Sequence, residues 1–176
     1  YSPPCLPTYT DTIAMLLHDG INCIDYPIVK IGSQWWMKEN VNAVKYASGA
    51  PLVDGTSAGS IAGDYTTKYY FNYNDTPSYS NIYGKLYTYA AAMNGAAGSD
   101  SIPSGVQGVC PTGWHLPSDA EWKLLEMGLG MSQAAADASG WRGTDEGIKL
   151  KDNIAWNGTN TSGFSALPAG YRHLSD

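Results

Sequence analysis

Hydrophobic residues occur in short patches separated by stretches rich in Gly, Ser, Thr and Asn. Residues 28–31 are mostly β-branched, and residues 34–38 follow after a Gly-Ser pair, so the pattern predicts two strands joined by a turn. In the second strand, alternation places Trp35 and Met37 on one face and Trp36 on the other. The two adjacent Trp side chains therefore cannot both face one core.

Three helices are expected in the middle of the chain. Residues 84–93 carry apolar side chains at helical spacing. Ser118 and Glu121 form a capping-box pattern directly before a helix that contains Trp122. A shorter Ala-rich helix is expected at residues 133–139.

The last third reads as short strands. Apolar and Lys residues alternate over residues 148–151, and residues 163–167 form an apolar run that Pro168 ends. A further β-like run covers residues 69–73. Strands, helices and then strands indicate an α+β fold. The expected core is Trp35 or Trp36, Leu86, Tyr89, Met93, Trp114, Leu116, Trp122, Leu125, Phe164 and Leu167.

The N-terminal residues 1–22 are interpreted as an extended arm, because each Pro biases its predecessor away from helix. Residues 23–176 form the domain. The three cysteines cannot all pair with one another. In an oxidising compartment we expect Cys5 and Cys23 to close a small loop, with Cys110 unpaired or partnered outside this segment.

Composition narrows the function classes. The net charge of −6 argues against nucleic acid and anionic membranes as partners. Only 15% of the residues are charged, whereas 13 are Tyr and 6 are Trp. Tyr and Trp pair an apolar body with a polar tip and are common on recognition surfaces. No apolar run is long enough to span a membrane.

Four phrases in order resemble the Fibrobacter succinogenes major paralogous domain family, which occurs on surface and secreted bacterial proteins. They lie at residues 29–40, 83–88, 110–122 and 163–172. The resemblance implies a C-type-lectin-like fold, related to the formylglycine-generating-enzyme group, and an extracellular location. It brings no known active site. It also implies a further C-terminal segment with a cysteine partner for Cys110, so we expect the chain to be an incomplete unit of its fold.

No catalytic residues are predicted, because His115 has no recognisable nucleophile and orienting acid beside it. We expect structural roles for the helix-entry residues Trp114, His115, Ser118, Glu121 and Trp122. No cofactor is expected apart from calcium, for which oxygen-bearing side chains such as Asp152 and Asn153 are weak candidates.

Candidate ligand-binding residues are the aromatic and amide side chains of Trp36, Tyr70, Tyr73, Asn157 and Asn160. The resemblance adds two O-glycosylation candidates, because Thr12 and Ser101 lie in Asp-Thr/Ser-aliphatic triplets.

The leading hypothesis is a non-enzymatic extracellular surface protein, acting as an adhesion or display module or as a filament subunit. The alternatives are an enzyme related to the formylglycine-generating oxidases and a carbohydrate-binding lectin-like domain. Expected partners are other subunits, in a homo-oligomer or by strand addition at residues 164–167, or surface polysaccharide.

Overall fold

A computed structural model describes residues 15–173 and 175 and shows a mixed α+β fold built on two small sheets. The first sheet contains β1 (Leu16–Asp19), β2 (Ile24–Ile31) and β3 (Gln34–Met37) in antiparallel order. The predicted hairpin is confirmed. Its two-residue turn places Gly32 at a φ of +59°, a conformation that favours glycine.

The second sheet is smaller and is formed by strands that lie far apart in sequence. β4 (Val53–Asp54) runs parallel to β5 (Tyr69–Phe71), and β6 (Leu86–Tyr87) pairs with β5 in the antiparallel sense. The predicted strand at residues 69–73 thus ends at Phe71. Two 3-10 turns follow it, at Tyr73–Asp75 and Pro77–Tyr79.

Five short helices complete the described fold: α1 (Ser80–Tyr83), α2 (Tyr89–Met93), α3 (Asp119–Gly128), α4 (Gln133–Ala136) and α5 (Glu146–Leu150). The capping box before α3 is confirmed. The Ser118 hydroxyl accepts from the Glu121 N–H, and the Glu121 carboxylate accepts from the Ser118 N–H. The short helix near residue 133 is also confirmed, but it ends at Ala136.

Three predicted elements were wrong. The single helix over residues 84–93 is divided, because β6 pairs with β5 and Thr88 then caps α2 by accepting from the Ala91 N–H. Residues 148–151, predicted as a strand, fall mostly in the helix α5. Residues 163–167 form no strand: they make one isolated parallel bridge from Ala166 to Lys151, and Ser165 has a φ of +60°.

Two buried clusters hold the fold together. One packs Ile31 and Trp36 against Leu125 of α3, with Phe164 beside them. The other surrounds Tyr46, whose hydroxyl donates to the carbonyl of Ala91 at 2.9 Å. Because a buried tyrosine satisfies loop carbonyls while filling apolar space, the Tyr-rich composition holds long irregular segments in place.

The expected core is partly wrong. Leu125 is fully buried, as expected, and of the two adjacent tryptophans it is Trp36 that belongs to the core. However, Tyr89 is 73% exposed and Trp122 is 39% exposed. Tyr89 is the first residue of α2 and lies outside both buried clusters. Trp122 packs on Trp36 with one side only, because a cavity lies beside it.

The described part of the predicted N-terminal arm includes β1, which pairs with β2 from Leu16↔Pro27 to Asp19↔Ile24. Buried Asp19 closes the connection to β2 by accepting from the N–H groups of Ile21 and Asn22. Cys5 lies outside the described residues, so the pairing of Cys5 with Cys23 stays a prediction.

Candidate functional site

A cavity of about 840 Å³ runs along β3. Four of the six tryptophans line it: Trp35, Trp36, Trp114 and Trp122. Consecutive residues 34–41 also line it. Because successive strand residues point to opposite faces, a cavity that touches all of them must wrap around the edge of β3. We call this cavity the tryptophan groove.

The β3 edge contributes two tryptophans in different environments. Trp36 faces α3 and packs on Trp122 and Phe164, with ring centroids 4.8 Å and 6.3 Å away. Trp35 lies on the outer face of the sheet, where it is 42% exposed and has the Lys30 ammonium 5.9 Å from its ring centroid. The groove therefore has one indole anchored in the core and another open to solvent.

The facing side of the groove is formed by the segment that enters α3, where Glu121 is the central polar group. Its buried carboxylate accepts from the N–H groups of Ser118 and Ser104 and from Nε2 of His115, at 3.0, 3.1 and 2.8 Å. Burial acts to raise the pKa of Glu121. The donors at Ser118, His115 and Ser104 outweigh burial and hold the pKa below its ordinary value. This ionised carboxylate fixes the His115 ring at the groove.

Cys110 also lines the groove and is a free, buried cysteine. Burial raises the pKa of its thiol to about 12. At neutral pH the group is therefore a thiol, and a thiol is a poor nucleophile compared with a thiolate. His115 is bonded to Glu121 through its Nε2 atom, and no hydrogen bond joins His115 to Cys110 in the described part of the chain.

Two buried polar atoms at the base of the groove have no hydrogen-bond partner among the residues that the structure describes. They are Oε1 of Gln34 and Nε1 of Trp36. Both side chains belong to residues that line the groove. Buried polar atoms without partners are uncommon in folded proteins. Their presence here indicates that the hydrogen bonding of this region is not complete in the isolated chain.

The predicted ligand-binding residues do not form one site. Only Trp36 lies in the tryptophan groove. Tyr70 donates its hydroxyl to Asp54 at 3.0 Å in the second sheet. Tyr73 stacks in a separate cluster, with its ring centroid 4.9 Å from that of Tyr83.

The amide and carboxylate residues near the C-terminus act mainly within their own loops. Asn160 accepts from the Ser165 N–H and donates to the Ser165 hydroxyl, both at 2.9 Å. Asp152 accepts from the N–H groups two and three residues ahead of it. Asn153 and Asn157 are exposed on the same loop. These loop side chains lie close together because they form turns. Within the described ranges, no group of three or more His, Cys, Asp or Glu residues is placed to hold a metal ion.

The structure describes only one of the two O-glycosylation candidates. Ser101 is exposed, and its carbonyl accepts from the Ser118 hydroxyl at 2.9 Å. Thr12 lies outside the described residues.

Sequence reasoning missed Trp35 as a groove residue and assigned Trp114 only a structural role. The adjacent Trp pair was a usable signal, because strand alternation already required one of the two indoles to leave the core. Nothing local indicated that Trp114 and Trp122 would lie across from that strand.

The comparisons with known proteins identify the family. The model of the Fibrobacter succinogenes major domain matches residues 29–176, and the chain belongs to this bacterial family. The resemblance of the four sequence phrases is thereby confirmed. No curated protein and no solved structure matches the chain. Over residues 15–173, no helix has the length and apolar character needed to cross a bilayer.

Proposed function

We propose that this chain is a non-enzymatic binding domain of a bacterial surface or secreted protein, used for adhesion or for assembly with other subunits. The observation that carries the proposal is the tryptophan groove. Its volume of about 840 Å³ lies in the range of natural ligand sites, and it combines aromatic walls with a few polar groups. Trp, Tyr and Arg are enriched among the residues that contribute most of the binding energy at protein interfaces.

The ionisable groups of the groove support binding over catalysis. Glu121 is engaged by two backbone donors and His115, so its carboxylate stabilises the start of α3. Cys110 is held as a thiol by burial. A reaction that begins with a cysteine thiolate, as in an enzyme of the formylglycine-generating type, would require a lowered thiol pKa instead.

A carbohydrate ligand is the second candidate, and the exposure of Trp35 and Trp122 favours it. Trp35 is 42% exposed and Trp122 is 39% exposed, and both residues line the groove. A flat aromatic face with a polar tip suits a ligand that has both apolar and hydroxyl-bearing surfaces.

We also propose a C-type-lectin-like arrangement for the finer fold, consistent with the α+β class, the short strands and the long loops. Superposition of an experimental structure on lectin-like domains would test it.

An adhesion assay tests the binding function. Beads coated with the chain would be incubated with washed cells of the source bacterium and with cellulose and xylan particles. We expect wild-type beads to be retained on at least one of these, and a Trp35→Ala/Trp114→Ala variant to lose most of the retention. Trp141→Ala is the matched control, because Trp141 is fully exposed and does not line the groove.

Equal retention of the groove variant and the Trp141→Ala control would contradict the proposal, as would failure of wild-type beads on every surface.

An oxidase assay on cysteine-containing peptides, run with Cys110→Ser beside the wild type, tests the enzymatic alternative. Oxygen consumption that depends on Cys110 would favour that alternative.

A further inference from the structure

We propose that the tryptophan groove receives a single extended strand of a partner polypeptide, which pairs with the free edge of β3 and places large apolar side chains, at alternate positions, among the tryptophans. This inference rests on the proposed binding function and names the class of ligand. It also moves the predicted strand addition from residues 164–167 to β3.

The backbone of β3 carries the first part of the argument. The Lys38 N–H donates to the Pro27 carbonyl at 2.8 Å, directly beyond the paired residues Ile28↔Met37. In an antiparallel pair, hydrogen-bonded and non-hydrogen-bonded positions alternate. The main-chain groups of Trp35 and Met37 therefore point away from β2, and no hydrogen bond joins them to another described residue. Such an edge is a template for a further strand.

Another segment that lines the groove, residues 164–167, also has main-chain groups to consider. Both main-chain groups of Ala166 are used, because its N–H donates to the Leu150 carbonyl and its carbonyl accepts from the Asp152 N–H, each at 2.9 Å. The next residue, Leu167, lines the groove, and its N–H has no acceptor among the described residues. The Leu167 carbonyl accepts from the Ala169 N–H, so this segment offers an added strand one N–H, and the outward main-chain groups of β3 are its principal partners.

The side chains of the groove indicate what the strand would carry. Register places Met15, Ile28 and Met37 in one row across the outer face of the first sheet, since Ile28 pairs with Met37 and bonds to the Met15 carbonyl. All three line the groove, and Met15 is 53% exposed. The side chains of an added strand would alternately face this row and the indoles. The added strand would thereby bury the row and the indoles.

Charge and shape narrow the class of occupant further. Lys38 and Glu39 are neighbours at the edge of the groove, so their charges offset each other and give no preference for a polyanion or a polycation. The groove is lined by β3, by the segment that enters α3 and by residues 164–167. A single extended chain would lie among these segments, whereas the edge of a folded sheet would bring a second layer of side chains with it.

Peptide selection provides the probe. A phage-displayed library of eight-residue peptides would be selected on the full chain, and the tightest binder would be synthesised for titration. We expect the selected sequences to alternate large apolar and polar residues. The synthetic peptide should raise hydrogen-exchange protection at the amides of Trp35 and Met37 at least about tenfold, while the amides of Gln34 and Trp36, already paired with β2, change little.

Matched variants separate main-chain pairing from side-chain contact. Met37→Pro removes one outward N–H at an edge position where Pro is tolerated. Met37→Ala removes the side chain and keeps that N–H. We expect Met37→Ala to weaken peptide binding, because its side chain lies in the row that the strand would cover, and Met37→Pro to weaken binding at least about tenfold more than Met37→Ala does. Thermal unfolding of both variants verifies that they are folded.

Three results would overturn the inference: no enrichment above an uncoated surface, equal binding to Met37→Pro and Met37→Ala, or binding without protection of the Trp35 and Met37 amides. The second and third would leave the groove as a binding site and exclude strand pairing. The proposed function fails separately, in the bead assay, if adhesion does not depend on the groove tryptophans.

Discussion

The Glu121 carboxylate gives the sharpest test of the site's architecture. Its Oε2 atom accepts from the N–H groups of Ser118 and Ser104, and its Oε1 atom accepts from His115. Glu121→Gln keeps the shape and an amide oxygen for the two backbone donors, but it removes the charge. Hydrogen bonds to a charged group contribute roughly 1.5–3 kcal/mol and neutral ones roughly 0.5–1.5. For the two backbone bonds, from the Ser118 and Ser104 N–H groups, the change from a charged to a neutral acceptor gives an expected loss of unfolding free energy of about 2 kcal/mol near neutral pH.

The same reasoning predicts a pH dependence with a definite sign. The pKa of Glu121 is lowered in the folded state from its ordinary value of 4.5. The stability contributed by the charge is therefore present above pH 4.5 and is lost as the pH falls through the folded-state pKa. The difference in unfolding free energy between wild type and Glu121→Gln should shrink steadily below that pH, because the wild-type carboxyl group then becomes neutral as well.

Urea denaturation at a series of pH values measures this difference, and other titrating groups largely cancel between the two proteins. Glu126→Gln is the matched control, since Glu126 lies on the same helix and pairs with Arg142 at 3.0 Å near the surface. A surface pair of this kind contributes about 0–1 kcal/mol. The reasoning would be refuted if Glu121→Gln cost no more than Glu126→Gln, or if its cost were the same at acid and neutral pH.

Three further predictions concern the core, the cap and the free thiol. Leu125→Ala should lower the unfolding free energy by about 2–5 kcal/mol, whereas Trp122→Ala should fall at or below the low end of that range because Trp122 is partly exposed; urea titration compares them. Ser118→Ala should cost about 1 kcal/mol, and an unchanged melting temperature would contradict the cap assignment. Cys110 should react with a disulfide reagent on the order of 100-fold slower in the folded protein than in denaturant, and rapid labelling of the native state would show that the thiol is accessible.

Local signals predicted the structure well where a few neighbouring residues determine it. The turn at Gly32 and the cap at Ser118 each depend on contacts within about four residues, and both are present. Predictions at residues 84–93 and 163–167 failed because distant partners decide them. Leu86 pairs with Phe71, and Ala166 bonds to Leu150 and Asp152. Short apolar runs do not distinguish a strand from a helix until such partners are known.

The groove itself could not be predicted for a different reason. Trp122 and Leu125 lie three residues apart on α3, so helical periodicity assigns both to one apolar face. Leu125 is fully buried against Ile31 and Trp36, while Trp122 packs on Trp36 and leaves part of its surface facing the groove. The pattern of hydrophobic residues tells which side chains avoid water, but not whether the chain supplies enough atoms to cover them. In the described part of this domain, the incompletely covered side chains lie beside a strand edge whose main-chain groups have no partner, and that coincidence makes the groove a binding site to test.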